Sequence, residues 1–255
     1  MILAIDAGNT NIVIGAIEDG KILGFDRIRT EANATSAEYA IKLLDLLNFM
    51  GFKKDGFDGA IISSTVPGII RVMSSAVENV TGCEAIIVSH KLNYDMEIAI
   101  DEPETVGGDL LVGAIAAKEC YGAPAIVIDL GTATTMFVID KNGAFSGGAI
   151  MPGVKTSLNA LAKGAALLPE VSLSAPEKYI SKNTTDCMRS GSVFGSAAMI
   201  DEMIDRFEAE LGYSCTLVAT GGLSKPVVGN CRHEIICDDN LLLKGLWSIY
   251  VKNNV

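Results

Sequence analysis

Two stretches of this 255-residue chain repeat one another at a fixed offset. Ile2-Leu3-Ala4-Ile5-Asp6-Ala7-Gly8-Asn9-Thr10 resembles Ala125-Ile126-Val127-Ile128-Asp129-Leu130-Gly131-Thr132-Ala133, and 129 − 6 equals 131 − 8, which is 123. The same offset carries Gly20 of Glu18-Asp19-Gly20-Lys21 onto Gly143 of Lys141-Asn142-Gly143-Ala144. Each copy reads as an apolar strand, an Asp-x-Gly turn, a second apolar strand, a glycine-bearing hairpin turn and a third strand. An ungapped match of this kind predicts duplication, hence two α/β halves (1–122 and 123–255) packed tightly with a cleft between them.

Helical patterns fill the space between the strands. Thr35-Ser36-Ala37-Glu38 forms a capping box, and Ala40, Leu43, Leu44 and Leu47 follow at helical spacing before Gly51. A buried strand at 59–62 leads through Ser63-Ser64-Thr65-Val66-Pro67 to a helix near 69–80, with a short strand at 85–88. A further helix is expected from 105–107 to about 119, and others at 154–167, 186–211 and 241–252, with a strand at 215–219 running into Thr220-Gly221-Gly222.

Composition narrows the partners. Twenty Lys+Arg against 31 Asp+Glu give a net charge of −11, which supplies no basic stripe for nucleic acid or an anionic membrane. No uncharged apolar run is long enough to span a bilayer, and no basic segment precedes the first strand as a secretory signal requires. The six scattered cysteines lack CxxC spacing and read as reduced thiols, so a cytoplasmic protein is expected. Cys231, His233 and Cys237 match no common zinc spacing. Gly191, Gly195 and Ala198 suggest close helix packing, either within the chain or between two copies.

The chemistry is expected at the strand ends. Gly8 lets the backbone turn tightly and present its N–H groups, and Asn9, Thr10 and Asn11 add polar side chains. Such a turn can hold phosphate oxygens, and Asp6 can hold Mg²⁺ directly or through water. The second copy offers a hydroxyl-rich turn with its own carboxylate, Asp129, so that two turns facing across a cleft could grip a triphosphate. Gly221-Gly222 either approaches a nucleoside or simply enters a helix. Asp109, in the first turn of a helix, is either a dipole-favoured acid or the base for a substrate hydroxyl.

Taken together, these motifs resemble type III pantothenate kinases, of the acetate kinase/sugar kinase/Hsp70/actin superfamily. The resemblance rests on Asp6-Ala7-Gly8-Asn9-Thr10-Asn11, Asp129 to Thr135, Gly147 to Gly153, Ala166-Leu167-Leu168-Pro169, Asn183-Thr184, Ser190-Gly191 and Ala219-Thr220-Gly221-Gly222, in order along essentially the whole chain. It implies duplicated ribonuclease H-like (actin-like ATPase) domains with mixed central sheets, and ATP-dependent phosphorylation of the primary hydroxyl of pantothenate. It also implies a cytoplasmic homodimer working with Mg²⁺ and a monovalent cation, K⁺ or NH₄⁺. By position, Asp6, Ala7, Gly8, Asn9, Thr10, Asn11, Ile12 and Val13 would bind ATP, with Thr132, Gly221 and Gly222. Asp129 would hold the monovalent cation and Asp109 would accept the proton. Gly107, Gly108, Asp109, Leu110 and Thr184 would line the pantothenate site.

The chain departs from the family at Leu110 and Gly113, where an Arg and an Asn are usual, and at Ile100, where a Tyr is frequent. Arg189, five residues after Thr184, could replace the missing guanidinium, because Arg suits bidentate carboxylate binding. A kinase of the same fold for another hydroxylated acceptor, or a nucleotide-binding regulator, is the alternative.

Overall fold

In the computed structural model of the protein, residues 1–254 are described, Pro67 by its backbone alone. The chain forms two units, one of Met1–Cys120 together with the chain from Asn240 onward, the other of Tyr121–Asp239. The first holds strands β1 (Ile2–Ala7), β2 (Asn11–Glu18), β3 (Lys21–Arg29), β4 (Gly59–Ser64) and β5 (Ala85–Ile87). The second holds β6 (Ala125–Leu130), β7 (Ala133–Ile139), β8 (Phe145–Pro152), β9 (Thr216–Thr220) and β10 (Ile236–Cys237).

The two sheets share one plan. The first runs β3-β2-β1-β4-β5, and the second, read from its β8 edge, runs β8-β7-β6-β9-β10. In each, three antiparallel strands lead to two parallel ones. This is the duplicated α/β arrangement of the actin-like ATPase class.

The duplication is not ungapped. β1 and β6 superpose at the offset of 123, but Ala7 pairs with Ile12 whereas Leu130 pairs with Thr134. The first turn therefore inserts residues 8–11 between partners and the second only 131–133, so the second strands correspond at an offset of 122. The longer hairpin between Ile139 and Phe145 restores 123 at Gly143. A tighter turn and a looser hairpin cancel, which is why the sequence match looks continuous.

Alternation along β1 assigns its faces. Leu3, Ile5 and Ala7 pack with Tyr39, Leu43 and Leu47 of α1 (Ser36–Phe49) and Ile69, Met73 and Val77 of α2 (Pro67–Thr81). Ile2 and Ala4 join Leu111, Val112 and Ile115 of α3 (Gly108–Tyr121) on the other face. Asp6 has the parity of Ile2 and Ala4, so it belongs to the α3 face. In the second unit, Ile126, Ile128 and Leu130 meet α4 (Val154–Gly164), α5 (Thr184–Leu211) and α6 (Ser224–Val228), which assigns Asp129 to the opposite face.

The closing helix α7 (Leu241–Asn253) sits beside α3, its Leu243, Leu246 and Ile249 sharing that face of the first sheet. A division at 122/123 would put it with the second half. Its apolar side instead completes the first unit, where Gly245 lies so close to the Val112 carbonyl that no side chain fits between them. α4 stops at Gly164, short of the expected 167, and α3 begins only at Gly108, after a 3₁₀ turn at Pro103–Thr105. No helix among the described residues is long and apolar enough to cross a membrane.

Candidate active site

The first turn is held from three sides. Gly8 N–H donates to the Asn11 carbonyl at 3.0 Å, closing the turn on itself. From the end of β3, the Thr30 hydroxyl donates to the Gly8 carbonyl at 2.7 Å and the Thr30 N–H to the Thr10 carbonyl at 3.0 Å. From the end of β4, the Ser64 hydroxyl and the Thr65 N–H both reach the Ala7 carbonyl, at 3.0 and 3.2 Å. The Asn9 amide touches the Thr65 hydroxyl at 3.5 Å. The backbone of residues 7–10 is thus fixed by its carbonyls, the arrangement a phosphate-binding turn requires if its N–H groups are to serve a ligand.

Asp6 lies at the C-terminal end of β1, in register with Ser63 of β4. Ser63 follows Ile61 in alternation, so it too belongs to the α3 face. Its hydroxyl is fully buried and without a hydrogen-bond partner, and a Cβ on Gly108 would stand 3.3 Å from it. The start of α3 is therefore seated on the strand end next to Asp6. That brings Asp6, Ser63, Gly107, Gly108, Asp109 and Leu110 to one end of one face of a single sheet.

Asp109 is half-buried, and its Oδ1 accepts the Leu110 N–H at 2.9 Å. Burial pushes its carboxyl above the ordinary value of 3.8, opposed in part by the Leu110 N–H and its own. A carboxyl raised in this way is suited to taking a proton from a hydroxyl.

The second unit builds a companion strand end. Gly131 N–H donates to the Ala133 carbonyl at 2.9 Å, and Gly153 N–H and the Thr156 hydroxyl both reach the Thr132 carbonyl, at 3.1 and 2.7 Å. The turn carrying Thr132 is thereby tied to the start of α4. Gly221 at the end of β9 has φ +92, and a Cβ there would lie 2.5 Å from Asp129 Oδ1 and 2.7 Å from the Leu130 carbonyl. Only glycine leaves room for that carboxylate. Thr134, Thr135 and Ser224 bury hydroxyls without hydrogen-bond partners around the same strand ends.

Thr184 and Arg189 lie on the first turns of α5, which Asn183 caps by accepting the Asp186 N–H at 2.9 Å. The Arg189 guanidinium donates to the Ser172 carbonyl (3.2 Å), the Ser172 hydroxyl (3.0 Å) and Asp186 (3.3 Å). Three of its five N–H donors are thus engaged, and two remain. Cys231 and His233 serve a different purpose. Asp201, buried on α5, accepts the Arg232 and His233 N–H groups at 2.8 and 3.2 Å, and His233 Nε2 meets Asp205 at 2.9 Å. Burial raises the Cys231 thiol to about 12. The segment anchors a turn to α5.

Thr30, Ser63 and Thr156 escaped the sequence reading. Each acts through strand register or a backbone carbonyl, and a lone Ser or Thr in a connection carries no local signal of that. The repeat could have pointed to the strand ends opposite each turn, though not to these side chains.

A family profile described as Type III pantothenate kinase matches residues 2–206. A protein named Type III pantothenate kinase from Bifidobacterium animalis subsp. lactis (strain AD011) is 39% identical over 253 residues, covering 99% of this chain and 100% of the relative. One of the same name from Acidiphilium cryptum (strain JF-5) is 38% identical over 253 residues, covering 99% and 95%. Among solved structures, (R)-2-hydroxyglutaryl-CoA dehydratase component A from Acidaminococcus fermentans aligns with a TM-score of 0.58 at 15% identity, covering 98% of this chain and 96% of that one. At that identity the likeness is one of fold.

Proposed function

We propose a division of labour among the site residues from one premise: the chain belongs to the type III pantothenate kinase family. The enzyme uses ATP to phosphorylate pantothenate, in coenzyme A synthesis. The observation that carries the residue assignment is the gathering of Asp6, Ser63 and Gly107–Leu110 at one end of one sheet face.

Asp109 takes the proton of the primary hydroxyl of pantothenate as phosphoryl transfer proceeds. Its raised carboxyl and its fixed position beside the Leu110 N–H support this role. The turn from Asp6 to Val13 holds the ATP phosphates through backbone N–H groups and the Asn9, Thr10 and Asn11 side chains. Within the second unit, Thr132, Gly221 and Gly222 are assigned to nucleotide binding. Phosphoryl transfer asks mainly for alignment and charge neutralisation, which these rigid turns provide.

The kinase works with a divalent metal. Among the described residues no group of three His, Cys, Asp or Glu side chains comes together to hold one. Mg²⁺ is commonly bound by one or two carboxylates with substrate phosphates and water, and Asp6 beside the phosphate turn fits that pattern. When bound, Mg²⁺ neutralises charge on the transferring phosphates. A monovalent cation, K⁺ or NH₄⁺, is assigned to Asp129, whose carboxylate lies beside the Leu130 carbonyl across Gly221. Hard oxygen donors of this kind suit such an ion.

Gly107, Gly108 and Leu110 are assigned to the acceptor site, and Thr184 of the second unit is assigned to acceptor binding in the same way. Arg189 supplies its two unused N–H donors to the pantothenate carboxylate in place of the guanidinium that Leu110 lacks. Two copies associate through the groove between α4 and α5, about 360 Å³, where Gly191 and Gly195 leave α5 bare beside Leu161 and Met199. The protein works in the cytoplasm.

A coupled ADP-release assay tests these assignments. With saturating pantothenate, Asp109→Asn loses kcat by about 10²–10⁴-fold with its ATP KM kept. Asp129→Asn raises the K⁺ concentration needed for half-maximal rate, and Arg189→Ala raises the pantothenate KM. An Asp109→Asn enzyme at full kcat overturns the base assignment. An unchanged KM in Arg189→Ala overturns the acceptor contact.

A further inference from the structure

We propose that Gly107 is a positioning residue, whose missing side chain seats the Asp109 carboxylate. The inference rests on the reading of Asp109 as the base and adds what holds that base in place.

A Cβ placed on Gly107 would lie 2.6 Å from Asp109 Oδ1. The next nearest atoms, Asp109 Cγ and Leu110 Cγ, stand at 3.8 and 3.9 Å, which is ordinary contact. The crowding therefore involves one atom, and it is the oxygen that accepts the Leu110 N–H at 2.9 Å. The carboxylate folds back over the Gly107 main chain at the start of α3. The Gly107 carbonyl meanwhile accepts the Leu110 and Leu111 N–H groups at 3.1 and 3.3 Å, fixing that turn.

This glycine is not there for its backbone. Its φ lies outside the left-handed region, unlike Gly82 or Gly212, which end helices. Alanine fits the main chain at 107 and meets no backbone atom. What alanine cannot do is coexist with the carboxylate where it lies. To reach an ordinary 3.4 Å, Oδ1 must shift by about 3.4 − 2.6 = 0.8 Å from the place where it meets the Leu110 N–H. A displacement of about 1 Å at a reacting group costs on the order of 10²-fold in rate.

Gly107→Ala, Asp109→Ala and the double variant are compared by steady-state kinetics and thermal unfolding. Gly107→Ala is expected to fold, melting within about 4 °C of wild type. Its kcat falls about 100-fold while both KM values stay within about threefold, the pattern of a group lost from the transition state. In the Asp109→Ala background, adding Gly107→Ala changes kcat by less than about twofold, because a residue acting only through the carboxylate has nothing left to act on.

Three results overturn the inference: an unchanged kcat in Gly107→Ala, losses that multiply in the double variant, or a raised pantothenate KM with kcat kept. The last would make the methyl group an obstacle to the acceptor. Asp109→Ala at full rate removes the base assignment and this inference together. Asp109→Ala inactive beside a fully active Gly107→Ala removes the inference alone.

Discussion

Gly245→Ala is predicted to loosen the helix pair that carries Asp109. A Cβ at 245 in α7 would lie 2.1 Å from the Val112 carbonyl oxygen of α3 and 2.9 Å from its carbon. Restoring an ordinary 3.4 Å needs 3.4 − 2.1 = 1.3 Å of separation between two main chains, with no flexible side chain to absorb it. Overpacking a tight core costs about 1–3 kcal/mol, and a backbone clash of this size belongs at the upper end. Replacing a helical glycine returns about 1 kcal/mol of helix propensity. The clash wins by about 2 kcal/mol, equivalent to a drop of roughly 4–8 °C in Tm for a chain of this size. Thermal and urea unfolding measure it, with Gly68→Ala in the first turn of α2 as the control. Gly68 has nothing within 4 Å of an added Cβ, so there no clash opposes the gain in helix propensity. A Gly245→Ala protein as stable as wild type would refute the packing of α7 on α3.

Three further outcomes follow from named contacts. Because the folded protein raises the Asp109 carboxyl above 3.8, the ionised form costs stability at neutral pH, and the cost disappears once both folded and unfolded states are protonated. Asp109→Asn should therefore melt above wild type at pH 7, with the gain shrinking as pH falls through the raised folded value and gone below about 3.8; a lower Tm at pH 7 would contradict this. Thr35→Ala removes the side-chain half of the α1 capping box, leaving the Thr35 N–H to donate to Glu38, and should cost about 1 kcal/mol, with Thr35→Ser close to neutral, as read by urea midpoints. Asp201→Ala orphans the Arg232 and His233 N–H groups and should cost about 3 kcal/mol, visible in the same urea titration; a loss under 1 kcal/mol would show that water replaces the carboxylate.

Much of the fold was legible because duplication writes it twice. The Asp-x-Gly pair at 6–8 and 129–131 located both first strands, and the strand order that follows is the same in both sheets. The Thr35–Glu38 box placed the start of α1 to the residue. The slip in the first turn stayed hidden, because one residue fewer there is offset by the longer hairpin before Phe145. The place of α7 was also hidden. Apolar spacing says that a helix has a buried side, but not which sheet receives it. Of the candidate site, the carboxylates and glycines could be read from the turns they stand in. Ser63 could not, since its meaning comes from lying in register with Asp6 and against Gly108. For Arg189 the sequence supplied the charge and its spacing from Thr184, while its engagement with Ser172 comes from a segment 17 residues away.

Phosphorus NMR of a reaction containing the purified enzyme, ATP, Mg²⁺, K⁺ and pantothenate addresses the central assignment. The expected spectrum gains one phosphomonoester resonance, on the primary hydroxyl of pantothenate, in step with ADP; with Asp109→Asn the ATP signals persist unchanged. ADP accompanied by free phosphate, or an Asp109→Asn sample that forms the same ester at the wild-type rate, would contradict it.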